Sequence, residues 1–145
     1  MGSFYHMTCR NKACRYSVEL REGPGMYLFA RQRTIEKKFW MEKKEASDEI
    51  KNLLKSGCKL KIVANYLCPA CQEWQVENFP YILELIKVSP YGTIRDYKVH
   101  FLNGKPRCKK CGGELVFILN PRSGKNQCPK CGTDNMRFSG FGYYD

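Results

Sequence analysis

Four pairs of closely spaced cysteines constrain the fold of this 145-residue chain more than any other feature. Eight of its nine cysteines fall into these pairs, which are Cys9 with Cys14, Cys68 with Cys71, Cys108 with Cys111, and Cys128 with Cys131. Such pairs become either disulfides or metal ligands, depending on the redox state of the compartment. The chemistry of the cysteines therefore depends on where the protein is expected to reside.

The distribution of apolar residues leads us to expect neither a membrane anchor nor a secretory signal. The N-terminal stretch MGSFYHMTCRN lacks the apolar run of a secretory signal, and no stretch approaches the ~20 apolar residues of a bilayer span. We therefore expect a cytoplasmic protein without membrane contact. Thiols persist in that reducing compartment, so the pairs are predicted to be metal ligands, and eight ligands make two sites of four.

The last two pairs predict one of these sites. They read C-K-K-C-G and C-P-K-C-G and are separated by sixteen residues. Two such turns bring four thiolates to the corners of a tetrahedron about 2.3 Å from a zinc ion, and the glycine after each pair permits a positive φ. If those four cysteines share one ion, Cys9, Cys14, Cys68 and Cys71 are left for the other site. Interleaved and nested pairings of the four turns remain alternatives to this sequential one.

The motifs resemble those of zinc ribbons, and the resemblance is most specific over residues 105 to 135. The first half resembles a zinc ribbon interrupted by a helical insertion, and it is similar to small, uncharacterised bacterial zinc-ribbon proteins with an EGPGM-like stretch. Cys9 and Cys14 depart from the usual pattern because four residues separate them. His6, three positions before Cys9, is a rival ligand, and Cys58 is expected to be a buried small apolar residue.

The pattern of apolar residues predicts an α+β fold of small antiparallel β hairpins organised around the two zinc sites. A helical insertion is expected at about 33–57, with Gly57 after its end and a break near Ser47 as an alternative, and a further hairpin at about 80–102. The sequence NGKP at 103–106 predicts a boundary between an interrupted zinc-ribbon domain, 1–103, and a C-terminal zinc ribbon, 104–145. The long runs EWQVENF and YILELIKV are predicted as separate strands on either side of Pro80.

Four protein ligands close the coordination sphere of zinc, whereas a catalytic zinc needs an open position for water or substrate. We therefore expect two structural zinc ions, no enzymatic activity and no small-molecule substrate. A rubredoxin-like iron protein that carries electrons is an alternative, because its cysteine motifs are similar. The sequence does not distinguish zinc from iron and does not predict an oligomeric state.

The charge predicts an anionic partner. The formal net charge is +11, which falls to about +7 if each site binds a divalent ion through four thiolates. This balance favours nucleic acid, a class of partner that the resemblance to zinc ribbons also implies, and a protein-binding adaptor is the alternative. The predicted phosphate-contacting residues are Lys105, Arg107, Lys109, Lys110, Arg122, Lys125 and Lys130. Phe138, Phe141, Tyr143 and Tyr144 are candidates for base stacking, although such aromatic residues more often belong to a core.

Overall fold

A computed structural model describes residues 2–23, 25, 30–31, 33–34, 37, 47–92, 95–119 and 126–144. Within these residues seven strands and one helix have defined bounds, residues 30–31, 33–34 and 37 are also helical, and every strand pairing is antiparallel. The elements are β1 (Gly2–Cys9), β2 (Ser17–Glu22), α1 (Asp48–Lys55), β3 (Leu60–Cys68), β4 (Glu73–Val88), β5 (Arg95–Phe101), β6 (Val116–Ile118) and β7 (Met136–Tyr144). The predicted α+β class with mostly antiparallel strands is confirmed.

The strands form two sheets, and each sheet contains strands from both sides of the predicted boundary at 103–106. The first sheet has the order β2-β1-β7, and the second has the order β5-β4-β3-β6. In the first sheet Tyr5 pairs with Phe141, and in the second Tyr66 pairs with Phe117. Strands from either side of the predicted boundary at 103–106 therefore share both sheets.

The predicted hairpins form where the sequence placed them, with one change in β4. β1 and β2 enclose the loop between Cys9 and Cys14, β3 and β4 enclose CPAC, and β4 and β5 follow each other through a turn at 89–92. The two runs expected on either side of Pro80 are one strand of 16 residues. Pro80 is accommodated because the ladder shifts register there, where Val63 pairs with Asn78 but Lys61 pairs with Tyr81. Proline lacks a backbone N–H, and such irregularities are where a sheet tolerates it.

The helix α1 begins and ends at sequence signals. The Ser47 side chain accepts a hydrogen bond from the Ile50 N–H at its start, and Gly57 follows its end with a φ of 98°. Ile50 and Leu53 pack against Leu60 and Ile82 of the second sheet. Of the remainder of the predicted insertion, residues 33–34 and 37 are helical, and residues 35–36 and 38–46 lie outside the described residues. Among those that are described, no helix is long and apolar enough to cross a bilayer.

Buried side chains lie on both faces of the second sheet. One core lies between the two sheets and contains Tyr5, Met7, Cys9, Leu20, Trp74, Cys128 and Met136. The other is centred on Tyr66, whose ring meets Phe79, Phe101 and Phe117 with centroids 5.7 to 6.3 Å away. Four of the paired cysteines belong to these cores, so the cysteine turns are part of the packed interior.

A buried asparagine connects the two sheets. The Asn65 amide on β3 accepts a hydrogen bond from the Arg21 N–H of β2 at 3.2 Å and donates one to the Arg21 carbonyl at 3.0 Å. It also donates to the Tyr5 hydroxyl at 3.1 Å. The amide thus satisfies both backbone groups of Arg21, as a neighbouring strand would. It fixes the relative position of the two sheets, which share no backbone hydrogen bonds at this point.

Candidate metal centres

The eight paired cysteines form two clusters, each able to hold a metal ion. The outer cluster consists of Cys9, Cys14, Cys128 and Cys131, and the inner cluster consists of Cys68, Cys71, Cys108 and Cys111. Within each cluster all four sulfur atoms lie within 4.8 Å of one another. The predicted sequential assignment was therefore wrong, because the first pair joins the last and the two middle pairs join each other. The arrangement is nested.

Strand pairing explains the nested order. The first turn follows β1 and the last precedes β7, and these two strands pair with Cys9 opposite Met136. The middle turns are brought together in the same way, because β6 follows the third turn and pairs with β3, which leads into the second. Each cluster thus forms where two turns meet at the end of a shared sheet. The sixteen-residue spacing predicted that the last two turns share an ion, but it places no constraint on which strands they join.

The sulfur positions fit a tetrahedral metal site. The Sγ–Sγ distances are 3.7 Å for Cys9 to Cys131 and for Cys14 to Cys128, 3.5 Å for Cys68 to Cys111, and 3.9 Å for Cys71 to Cys108. A regular tetrahedron with metal–sulfur bonds of about 2.3 Å has edges of about 3.8 Å. These separations are far longer than a disulfide bond, and all nine cysteines are free thiols.

All four turns use the same backbone conformation after their second cysteine. The residue at that position has a positive φ in each case, namely Arg15 at 54°, Gln72 at 53°, Gly112 at 73° and Gly132 at 74°. The left-handed region is easily reached by glycine, whereas other residues adopt it at a cost of about 1 kcal/mol or more. Sequence analysis identified the position only where glycine occupies it. The turn is thus the constant element, and glycine is its least strained occupant.

The four-residue gap between Cys9 and Cys14 is explained by Asn11. In the last two turns the carbonyl of the first cysteine accepts the N–H of the glycine that follows the second, at 2.8 and 2.9 Å. In the first turn the Asn11 carbonyl accepts the N–H of Arg15 instead, at 3.1 Å. Asn11 therefore takes the place of a first cysteine in the turn, while Cys9 supplies its sulfur from the end of β1.

Polar groups around the sulfurs make the ionisation of each cluster uneven. A hydrogen bond from the Gln75 side chain lowers the pKa of Cys108 to about 6, and one from the Thr133 hydroxyl lowers the pKa of Cys131 to about 6. Burial raises the pKa of Cys9 to about 12, and hydrogen bonds to the Cys111 and Cys68 thiols raise that of Cys71 to about 12. Because a second thiolate beside the first is unfavourable, full ionisation requires a cation between them.

The two other candidates for metal binding lie outside both clusters. His6 is exposed on β1, and its ring lies 5.6 Å from that of Phe4. Cys58 is half-buried after α1, where its sulfur lies 3.7 Å from the Ser56 hydroxyl. His6 does not replace a cysteine ligand, and Cys58 packs as a partly buried apolar residue rather than a fully buried one.

The predicted phosphate-contacting residues lie beside carboxylates. The ammonium groups of Lys109 and Lys110 lie 2.7 Å from Glu77 and 2.8 Å from Glu73, and Lys130 lies 3.8 Å from Glu73. Lys105 pairs with Glu114 at 3.3 Å, and Arg107 donates to the Gly112 carbonyl at 3.2 Å. Arg122 and Lys125 lie outside the described residues. Phosphate contact by this surface stays a prediction, and Glu73, Glu77 and Glu114 pair with four of its five described cations.

Comparison of the chain with family models, with curated proteins and with solved structures gave no match.

Proposed function

We propose that this protein is a non-catalytic binding protein whose two cysteine clusters each hold one structural zinc ion. The observation that carries the proposal is the closed donor set of each cluster. Four sulfur atoms at tetrahedral separations supply every ligand that zinc takes in a structural site. No coordination position is then left for a water molecule or a substrate, which metal-dependent hydrolysis requires.

The position of the clusters supports a structural role. Cys9, Cys68, Cys108 and Cys128 are all nearly inaccessible to solvent and belong to the two cores beside the second sheet. A metal ion in the inner cluster would cross-link segments that are otherwise paired through the three residues of β6. In the outer cluster it would reinforce the pairing of β1 with β7. Structural zinc contributes apparent free energies of roughly 10 to 16 kcal/mol in small peptides, enough to decide whether such a fold forms.

Elemental analysis of purified protein tests the metal. We expect two zinc ions per chain and no visible absorption, because zinc has a filled d shell. A rubredoxin-like iron protein would instead be coloured through its ferric thiolates. Fewer than two bound ions, or iron as the bound metal, would contradict the proposal.

Removal of the metal tests its structural role. We expect chelation to abolish the β-sheet signal in circular dichroism, and restoration of zinc, but not of magnesium, to recover it. The specificity follows because thiolates are soft ligands that magnesium does not prefer. A metal-free protein that keeps its native spectrum would show that the clusters do not hold the fold together.

A further inference from the structure

The strand β7 presents three aromatic rings to solvent along an open edge of the first sheet. β7 pairs with β1 on one side, and on the other side the described residues contribute only an isolated bridge between Asn126 and Met136. Phe138, Phe141 and Tyr143 are exposed by 41%, 64% and 69%. Large aromatic side chains usually bury most of their surface, so three neighbouring exposed rings mark an interaction surface. We call these three residues the aromatic strip.

A bulge in β7 places the rings on one face. The register against β1 shifts between His6 and Met7, so that Met7 pairs with Phe138 and His6 with Gly140, leaving Ser139 extra. Without that extra residue Phe138 and Phe141 would point to opposite faces, because side chains alternate along a strand. The rings follow one another with centroids 6.4 Å apart for Phe138 and Phe141 and 5.9 Å apart for Phe141 and Tyr143.

Gly142 and Tyr144 of β7 pack against β1, which distinguishes them from the residues of the strip. The ring of Phe4 lies over Gly142 so closely that a Cβ there would stand 2.5 Å from it. Tyr144 crosses Gly2 in the same manner, and its hydroxyl donates to the Gly23 carbonyl. Gly142 is therefore required by the Phe4 ring of β1 on the other face. The three rings of the strip, in contrast, contact one another, and they line a groove together with Ser3, Phe4 and Tyr5.

Positive charge lies at one end of the strip. The turn between Cys9 and Cys14 meets the start of β7, where the Arg10 N–H donates to the Asn135 carbonyl at 2.9 Å. Arg10, Lys12 and Arg15 are exposed on this turn. Among the residues that the structure describes, no carboxylate pairs with any of the three. They differ in this from the lysines at the inner cluster, which face Glu73, Glu77 and Glu114.

We propose that the aromatic strip and the turn bearing Arg10, Lys12 and Arg15 form a binding site for single-stranded nucleic acid. Unpaired bases stack on the rings of Phe138, Phe141 and Tyr143, and the cations of the turn contact the phosphates. Stacking needs exposed rings but no particular base, so the site binds with little sequence preference. The inference rests on the proposed function, because the outer cluster fixes the turn against β7.

Charge and backbone geometry favour this occupant over a protein strand. A second copy of the chain would carry the same net positive charge and would be repelled, whereas a phosphate backbone is complementary to that charge. The bulge at Ser139 also bends β7, and bulges make an edge strand a poor template for another strand. The rings and the unpaired cations, rather than the open backbone edge, are therefore the recognition elements.

Two triple variants with equal charge test the phosphate contacts. Fluorescence anisotropy measures the affinity of zinc-loaded protein for a labelled single-stranded oligonucleotide of mixed sequence at several salt concentrations. We expect the combination of Arg10→Gln, Lys12→Gln and Arg15→Gln to weaken binding and to reduce the salt slope of log K by about 2, since each phosphate contact contributes about 0.7. The matched combination of Lys105→Gln, Lys109→Gln and Lys110→Gln should leave affinity within about threefold of wild type, because carboxylates already pair with those lysines.

Substitutions in the strip test the stacking. We expect Phe141→Ala to lower affinity about tenfold or more and Phe138→Ala to act in the same direction, in the range of base stacking on an aromatic ring. Val116 is an exposed apolar residue on the second sheet, so Val116→Ala is the control and should not change binding. A duplex of the same sequence should bind more weakly than the single strand, because its bases are already stacked and paired.

Several results would overturn the inference. One is that protein carrying both ions does not bind the oligonucleotide at low salt, and another is that the two charge variants lose affinity equally. The others are that Phe141→Ala keeps full affinity, or that the free protein is a dimer that Phe141→Ala dissociates. The last result would assign the strip to a second copy. Loss of metal binding is measured separately on every variant, so failure of the proposed zinc sites would appear in metal content and not in affinity alone.

Discussion

The inner and outer clusters use the same turn, but they close very different lengths of chain. Cys71 and Cys108 of the inner cluster are 37 positions apart, whereas Cys14 and Cys128 of the outer cluster are 114 apart. In the chain-entropy treatment of a cross-link, this difference makes closure of the outer loop alone worth about 1 kcal/mol more than closure of the inner one. The inner cluster therefore joins neighbouring hairpins, and the outer cluster joins β1 to the last strand of the chain.

The surroundings of the two clusters differ in charge as well. The inner cluster is bordered by lysines that are paired with Glu73, Glu77 and Glu114. At the outer cluster the cations of the turn between Cys9 and Cys14 are exposed and have no carboxylate partner within the described part of the chain. A cluster motif therefore does not by itself predict a basic binding surface, because neighbouring strands decide which of its charges are neutralised.

The largest expected effect comes from removing two ligands at once, which tests the nested pairing directly. The combination of Cys9→Ser and Cys128→Ser damages one cluster, so we expect one zinc ion to remain. The combination of Cys9→Ser and Cys68→Ser damages both, so we expect none. Each loss should cost several kcal/mol of stability. Elemental analysis measures the stoichiometry, and the opposite outcome, none for the first combination and one for the second, would restore the sequential pairing.

A smaller effect is expected at the residue that connects the two sheets. Asn65→Ala removes three hydrogen bonds and leaves the Arg21 backbone groups without the asparagine, so we expect a loss of about 2 kcal/mol in the free energy of unfolding. Asn78→Ala is the matched control, because Asn78 is exposed on β4. Urea denaturation of zinc-loaded protein measures both. Equal stability of the two variants would mean that the sheets do not depend on this contact.

The shared turn predicts opposite effects for two substitutions within the inner cluster. Gly112→Ala forces a side chain into a φ of 73° with no atom within 4 Å of the new Cβ, so strain alone should cost about 1 kcal/mol. Gln72→Gly relieves strain at a φ of 53° in the partner turn and should stabilise by up to about 1 kcal/mol. Thermal unfolding of both variants measures the sign. Destabilisation by Gln72→Gly would show that its side chain contributes more than its backbone conformation costs.

The smallest effect concerns an ion-pair network that links the two clusters. Glu73 lies 2.8 Å from Lys110 of the third turn and 3.8 Å from Lys130 of the last. The hydrogen bond from Lys110, and then its charge, lower the pKa of Glu73 below its ordinary value of 4.5. A lowered pKa means that the stabilisation is complete at neutral pH and is lost as the pH falls through the folded-state value.

Glu73→Gln should therefore cost less than about 1 kcal/mol at pH 7, as is usual for partly exposed pairs. The stability difference from wild type should stay constant down to about pH 5 and shrink only in more acidic solution, where the carboxyl becomes neutral. Denaturation at several pH values checks the direction, and about 1 M salt should reduce the difference. A difference that grows on acidification would contradict this assignment of the pKa.

Local features of the fold were predictable from the sequence, and long-range ones were not. The eight ligands, the hairpins and the end of α1 at Gly57 depend on residues close in the chain, and each was predicted. The pairing of β1 with β7 joins segments more than one hundred residues apart, and nothing in C-K-K-C-G or C-P-K-C-G specifies it. The role of Asn11 was also missed, because a backbone carbonyl, rather than a recognisable side chain, takes the place of a cysteine there.

The nested arrangement also imposes an order on assembly during synthesis. All inner-cluster ligands are present once Cys111 has emerged from the ribosome, whereas Cys9 and Cys14 must wait for Cys131. At about 5 to 20 residues per second, the twenty residues from 112 to 131 take about one to four seconds to make. During that interval the Cys9 and Cys14 thiols of the nascent chain are without their native partners, so β1 reaches its final structure later than the hairpin of β3 and β4.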